Sequence, residues 1–208
     1  MKRQLHAVTT GQQGIEEMVR ISLAIMPFID FLHIREKSWT AREMKTAFRK
    51  LVRGGFSPNR IIVNDRVDVA AAEGAGGVHL AHHSLGVSEV KRMFPSMKTG
   101  VSIHSIDEGI SFQEKGADYV FFGNIFMTPS KAGKPGSGTM KVKELVDAVR
   151  VPVIAIGGIK PGNVQDIIAS GASGIAVLSG IFLAKDPVSS AKEYRKQLDR
   201  GEKFEKSL

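Results

Sequence analysis

The chain has no cysteine in 208 residues. That excludes disulfides, cysteine-ligated zinc and a thiol nucleophile, and it leaves the compartment open. Long apolar runs are missing too. The longest, Leu23 to Leu32, contains Asp30 and is too short to span a bilayer. The N-terminus, MKRQLHAVTTGQQG, lacks the apolar stretch of a signal peptide. A soluble cytoplasmic protein without membrane contact is the expectation. Acidic residues are in deficit, 21 against 29 Lys and Arg, for a net charge of +8. No arginine-rich run or aromatic-interleaved basic patch accompanies this excess, so nucleic acid is not an expected partner and small anionic ligands are.

What is present is alternation. Short β-rich apolar runs occur at Leu5–Thr9, Phe28–Arg35, Arg60–Asn64, Gly77–Ala81, Thr99–His104, Asp118–Gly123, Val151–Ile156 and Gly174–Leu178. They are continuous rather than alternating, as in a parallel sheet covered on both faces. Helix-like segments separate them, at Gly14–Met26, Thr40–Gly54, Val67–Gly74, Ser88–Phe94, Ile106–Gly116, Lys141–Val149 and Asn163–Ser170, with Pro187–Gln197 as the eighth. Thr40-Ala41-Arg42-Glu43 reads as a capping box, Ser105 as a cap and Gly171 as a helix stop. Eight β/α units predict a single (β/α)8 TIM barrel over residues 1–208, with an open doubly wound sheet as the alternative.

In such a barrel the chemistry sits at the C-terminal ends of the strands. His33, Arg35 and Lys37 share one side of an extended chain and are expected to crown the mouth together. Asn64 and Asp65 end the third run, Ser102 and His104 the fifth, and Asn124 follows the sixth. Gly157-Gly158 and Leu178-Ser179-Gly180 end the last two, where backbone N–H groups can cradle a phosphate. Thr128, Ser130 and Lys131 precede a segment, Ala132 to Gly138, rich enough in glycine to serve as a mobile lid. Phe122 is expected to wall the pocket beside Asn124.

Read in order, HIREK, IVNDRVDVA, GVHL, GVSIHS, ADYVFFGNIFMTPSK, VIAIGGI and GASGIAVLSGI resemble the thiamine phosphate synthase family, and within it the TenI-type thiazole tautomerases. The resemblance runs from Leu5 to about Tyr194 and implies the same barrel. It further implies that Arg35, Lys37 and Asn64 hold a pyrimidine pyrophosphate, that Asp65 is a magnesium ligand and that Ser102 lies beside the pyrimidine. Thr128, Ser130 and Lys131 correspond to the loop that binds thiazole and phosphates, and Gly158, Leu178 and Ser179 to the thiazole phosphate cradle.

The departures point to the tautomerase branch. The synthase motif HLGQED reads HLAHHS here, so Ser84 stands where the second magnesium carboxylate would be. His33 replaces a glutamine, and Asn124 replaces the proline of GPIF. The expected activity is therefore the isomerisation of a carboxythiazole phosphate to its aromatic tautomer, by acid/base proton transfer, with no cofactor and no metal. In that branch the position of Asn124 carries a histidine that donates the proton. An amide does not titrate near neutral pH, so three readings stay open: His33 or His104 does the chemistry, the chain binds ligand without turning it over, or Asn124 is an introduced substitution. Thiamine phosphate synthase and a non-catalytic regulator are the alternative functions. The partner expected is a small thiazole phosphate, with a homo-oligomer left open.

Overall fold

The structure is a computed structural model that describes residues 2–128, 133 and 135–205. All eight expected strands are present: β1 (Gln4–Val8), β2 (Phe31–Ile34), β3 (Ile61–Asn64), β4 (Gly77–Leu80), β5 (Lys98–Ile103), β6 (Tyr119–Gly123), β7 (Val153–Ile156) and β8 (Gly174–Val177). Each pairs in parallel with the next, and β1 pairs with β8, so the sheet closes. This is a (β/α)8 TIM barrel, and the open sheet is excluded.

Helices α1 (Ile15–Ile25), α2 (Ala41–Arg53), α3 (Val67–Glu73), α4 (Val87–Met93), α5 (Ile106–Glu114), α6 (Gly138–Ala148) and α7 (Val164–Ala169) cover the outside. Two more follow β8: a single turn, α8 (Ser179–Phe182), which the sequence pattern does not announce, and α9 (Pro187–Glu205), longer than expected. The capping signals work as their chemistry requires. Thr40 Oγ1 accepts from the Glu43 N–H while Glu43 accepts from the Thr40 N–H at 2.7 Å. Ser105 and Glu108 repeat the arrangement at α5, and Gly171 follows α7 at φ +88°.

The strands divide their side chains by parity. One set, including Leu5, Ala7, Leu32, Ile34, Val63, Val101, Phe122 and Ile175, packs outward against the helices in a continuous aliphatic core. The other set fills the barrel. There Val8, Tyr119, Phe121, Ile154 and Ala176 form a small apolar cluster, and three buried histidines, His6, His33 and His79, surround Phe121. An interior of this kind departs from the branched aliphatics usual in this fold. Burial holds all three imidazoles neutral: it lowers His6 and His79 to about 3 and His33 well below its ordinary value. His6 bonds on both sides, with Nδ1 2.9 Å from His33 Nε2 and Nε2 3.0 Å from Gln4 Oε1, whereas among the described residues His33 Nδ1 is buried without a hydrogen-bond partner.

Bulky interior rings need small neighbours. A Cβ on Gly100 of β5 would lie 2.0 Å from the Tyr119 ring, and backbone and ring are both fixed. Gly100→Ala is therefore expected to cost about 1–3 kcal/mol as overpacking, read as a lowered midpoint in chemical denaturation at unchanged slope.

Candidate active site

Two cavities open at the C-terminal end of the strands. The first, about 570 Å³, lies over β6, β7 and β8 and is lined by Phe121, Asn124, Thr128, Gly157, Gly158, Lys160, Leu178 and Ser179, among others. The second, about 720 Å³, lies over β2, β3 and β4 and is lined by Arg35, Lys37, Trp39, Asp65, Arg66, His82 and His83 among others. Arg35, Asn64, His79, Ser102 and His104 line both. The cavities are thus two lobes of one mouth, meeting above the barrel axis.

The second lobe is built by the ends of β2 and β3. The Arg35 N–H donates to Thr9 Oγ1 at 2.8 Å, which fixes the chain just past β2. Glu36 turns back and is 3% exposed; one carboxylate oxygen accepts from the Gly11 N–H, and burial raises its pKa. Arg35 and Lys37 are left at the mouth as cations. Asp65 sits at φ +66°, a conformation Asp and Asn tolerate best among residues with a Cβ. Its carboxylate lies 3.7 Å from His83 Nε2.

His33 is not at the mouth. Its register partners are Val8 on β1 and Ile62 on β3, and it is fully buried. The parity shared by His33, Arg35 and Lys37 is as expected, but two residues of strand rise about 6–7 Å, so His33 lies one layer below Arg35, under the cavity floor. The Phe122 expectation is corrected as well: Phe122 packs outward in the helix-facing core, and Phe121 provides the apolar wall. Asn124 follows the end of β6, where strand parity no longer applies. It lines the first lobe together with Ser102.

Asn124 is only 8% exposed, and its Nδ2 donates to the Phe126 carbonyl at 3.2 Å. The loop after β6 folds over the end of β7: a Cβ on Gly157 would meet Asn124 Cβ at 2.6 Å, and one on Gly158 the Met127 carbonyl oxygen at 2.6 Å. Both glycines have positive φ. The Gly157-Gly158 pair is therefore required by the loop packed on it. For that reason Gly158→Val would shift this loop and would not report on an anion alone. Ser130 and Lys131 lie outside the described residues, as do Ala132 and Lys134 of the lid segment. Sequence reasoning missed Lys160, a cation that follows the glycine turn by two residues and lines the first lobe.

The magnesium that the family resemblance implies can be tested against these donors. Ser84 Oγ accepts from the Ala81 N–H at 2.8 Å and brings no charge. Among the described residues no group of three His, Asp or Glu is placed to hold a metal ion. Of the two carboxylates that line the second lobe, Glu36 is buried and accepts from the Gly11 N–H, which leaves Asp65 as the exposed one. Magnesium is commonly bound through one or two carboxylates plus substrate phosphates and water, so the donor set fits that ion at its minimum.

Fold and mouth together define a TIM-barrel protein with a two-lobed, cation-lined pocket. Comparison with known proteins narrows this. Residues 5–181 match the thiamine monophosphate synthase family. A thiamine-phosphate synthase of Methanoculleus marisnigri is 38% identical over 175 residues, 81% of this chain and 82% of the relative. One from Methanoregula boonei is 46% identical over 140 residues, 66% of this chain and 64% of the relative. The solved structure of a thiamine phosphate pyrophosphorylase from Pyrococcus furiosus matches with a TM-score of 0.82 at 29% identity, over 96% of this chain and 97% of that one. A 3-hexulose-6-phosphate synthase, with a TM-score of 0.75 at 15% identity, shares the fold alone.

The chain belongs to the thiamine monophosphate synthase family. Members of this family are enzymes of thiamine biosynthesis. The thiazole tautomerase expectation is overturned: relatives up to 46% identical are named thiamine-phosphate synthases. The isomerase assignment goes with it, and the proton-transfer roles considered for Asn124 and His33 belonged to that reaction. The departures at His33, Ser84 and Asn124 do not move the chain out of the company of synthases. Among the described residues no helix is long and apolar enough to cross a membrane.

Proposed function

We propose that the chain is a thiamine phosphate synthase, a transferase that joins a pyrimidine carried on pyrophosphate to a thiazole phosphate. The observation that carries this reading is the pair of lobes meeting at Arg35, Asn64, His79, Ser102 and His104. An isomerase needs room for one ring. A transferase must hold two substrates side by side with their reacting atoms in contact, and holding them so supplies a large part of the rate.

In this reading the second lobe takes the pyrimidine pyrophosphate. Arg35 and Lys37 hold the pyrophosphate, and Asn64 and Ser102 hold the ring beside the shared boundary. The first lobe takes the thiazole phosphate, with Phe121 as its apolar wall and its phosphate near Gly158, Leu178, Ser179 and Lys160. Thr128 closes the side of this lobe, and Asn124 shapes it by fixing the loop after β6. The thiazole nitrogen bonds to the pyrimidine-borne carbon that carries pyrophosphate, while the bond from that same carbon to the pyrophosphate oxygen breaks. The developing negative charge on the leaving pyrophosphate lies against Arg35 and Lys37. Asp65 would hold a magnesium ion, which when bound supplies further positive charge to that leaving group.

The test is to incubate the protein with both substrates and magnesium and to follow thiamine phosphate and pyrophosphate together. Equal amounts of the two products are expected. Failure to form either, with the folded protein still binding one substrate, would reduce this reading to a ligand-binding protein.

A further inference from the structure

A buried hydrogen-bonded chain ends at the boundary between the lobes. The Tyr119 hydroxyl lies 3.2 Å from His79 Nδ1, and His79 Nε2 lies 2.9 Å from Ser102 Oγ. Tyr119 and His79 are buried at 5% and 2% exposure, whereas Ser102 is half-buried and lines both lobes. Burial keeps the tyrosine a phenol and the imidazole neutral.

The protons can be counted. Tyrosine, neutral histidine and serine each bring one, three in all, and the chain contains two bonds. One proton is left over, and the direction of the chain decides where it lies. If Ser102 donates to His79 and His79 to Tyr119, the spare proton is on the phenol. The Tyr119 hydroxyl has no other acceptor among the described residues, and a buried donor without a partner costs about 1–3 kcal/mol. If Tyr119 donates to His79 and His79 to Ser102, every buried group is satisfied and the spare proton is on the serine, facing the cavity.

We propose that Tyr119 and His79 are positioning residues that lock Ser102 as a hydrogen-bond donor to substrate, so that this point of the mouth selects a ring presenting an acceptor atom, such as an unprotonated ring nitrogen, over one presenting N–H. The proposal rests on the mouth being the substrate site and goes beyond that assignment by fixing the polarity of one contact. Gly100 belongs to the same device, because its missing side chain is what lets the Tyr119 ring lie under His79.

Two measurements test it. In the ligand-free protein, nitrogen-15 NMR of the histidine rings reports the tautomer directly, with the His79 signals assigned by their shift in Ser102→Ala. The Nε2-protonated form is expected; the Nδ1-protonated form would overturn the proposal. The second is a double-mutant cycle on the binding of thiamine phosphate, read by calorimetry in wild type, Tyr119→Phe, Ser102→Ala and the double variant. Tyr119→Phe should weaken binding roughly three- to tenfold, the range of one neutral hydrogen bond, and should add nothing once Ser102 is alanine. An equal loss in both backgrounds would show that Tyr119 acts on packing alone and would sink the positioning role. If thiamine phosphate does not bind at all, the substrate assignment of the mouth fails, and the tautomer still decides the polarity of the chain.

Discussion

Acidification from pH 7 to pH 5 is expected to remove about 4 kcal/mol of stability through His6 and His79, about 2 kcal/mol from each, and His33 adds to the loss in the same direction. His6 and His79 are depressed to about 3 and His33 well below its ordinary value, in every case because burial disfavours the cation. Unfolding returns each ring to its ordinary value of 6.5. Between those limits the unfolded chain binds more protons than the folded one, so stability is full above pH 6.5 and is lost as pH falls. Glu36, raised by burial, runs the other way and offsets part of the loss. Domains of this kind have about 5–15 kcal/mol in hand, so the barrel should unfold on acidification well before its surface carboxylates are all protonated. Denaturant titrations at pH 7, 6 and 5 check this, and the slope of stability against pH near pH 5 should correspond to nearly two protons taken up through His6 and His79, with His33 adding to them. A flat profile over this range would mean that the interior imidazoles are hydrated or charged, contrary to the packing around Phe121.

The second large effect concerns Asp65. Asn is the best available replacement, because it tolerates the left-handed backbone conformation that Asp65 adopts. Asp65→Asn should therefore leave the fold intact while removing the exposed carboxylate that lines the second lobe. If a divalent ion contributes several kcal/mol to pyrophosphate departure, kcat should fall on the order of a thousandfold. Manganese bound in the presence of pyrophosphate, followed by its electron spin resonance signal, should weaken in parallel. Ser84→Asp is the converse. It restores a second carboxylate where Ser84 now only accepts from the Ala81 N–H, and it should lower the magnesium concentration for half-maximal rate by about tenfold, the usual scale of a change in a metal's immediate surroundings. If Asp65→Asn keeps both its rate and its manganese affinity, Arg35, Lys37 and the nearby histidines carry the pyrophosphate without the ion.

The sequence alone determined the barrel. Eight continuous β-rich runs alternating with capped helices allow few other closed arrangements, and Thr40, Ser105 and Gly171 mark helix ends because capping is local chemistry between residues a few positions apart. The strand ends also marked most of the mouth, including Arg35, Asn64, Ser102 and Leu178-Ser179, since parity and chain direction are properties of a strand by itself. Height within the barrel is not such a property. It depends on the stagger between neighbouring strands, which only pairing decides, so His33 falls one layer below Arg35 despite sharing its side. Phe121 and Phe122 are equally apolar, and only closure determines which of two adjacent side chains faces the axis. Asn124 lies past the last paired residue of β6, and the loop packed on Gly157 and Gly158 places it. The proposed function rests on a feature with the same limit. Ser84 and Asn124 suggested a change of reaction because residue types were weighed one at a time, whereas the two-lobed mouth is formed by side chains from most of the eight strands and exists only once the sheet has closed.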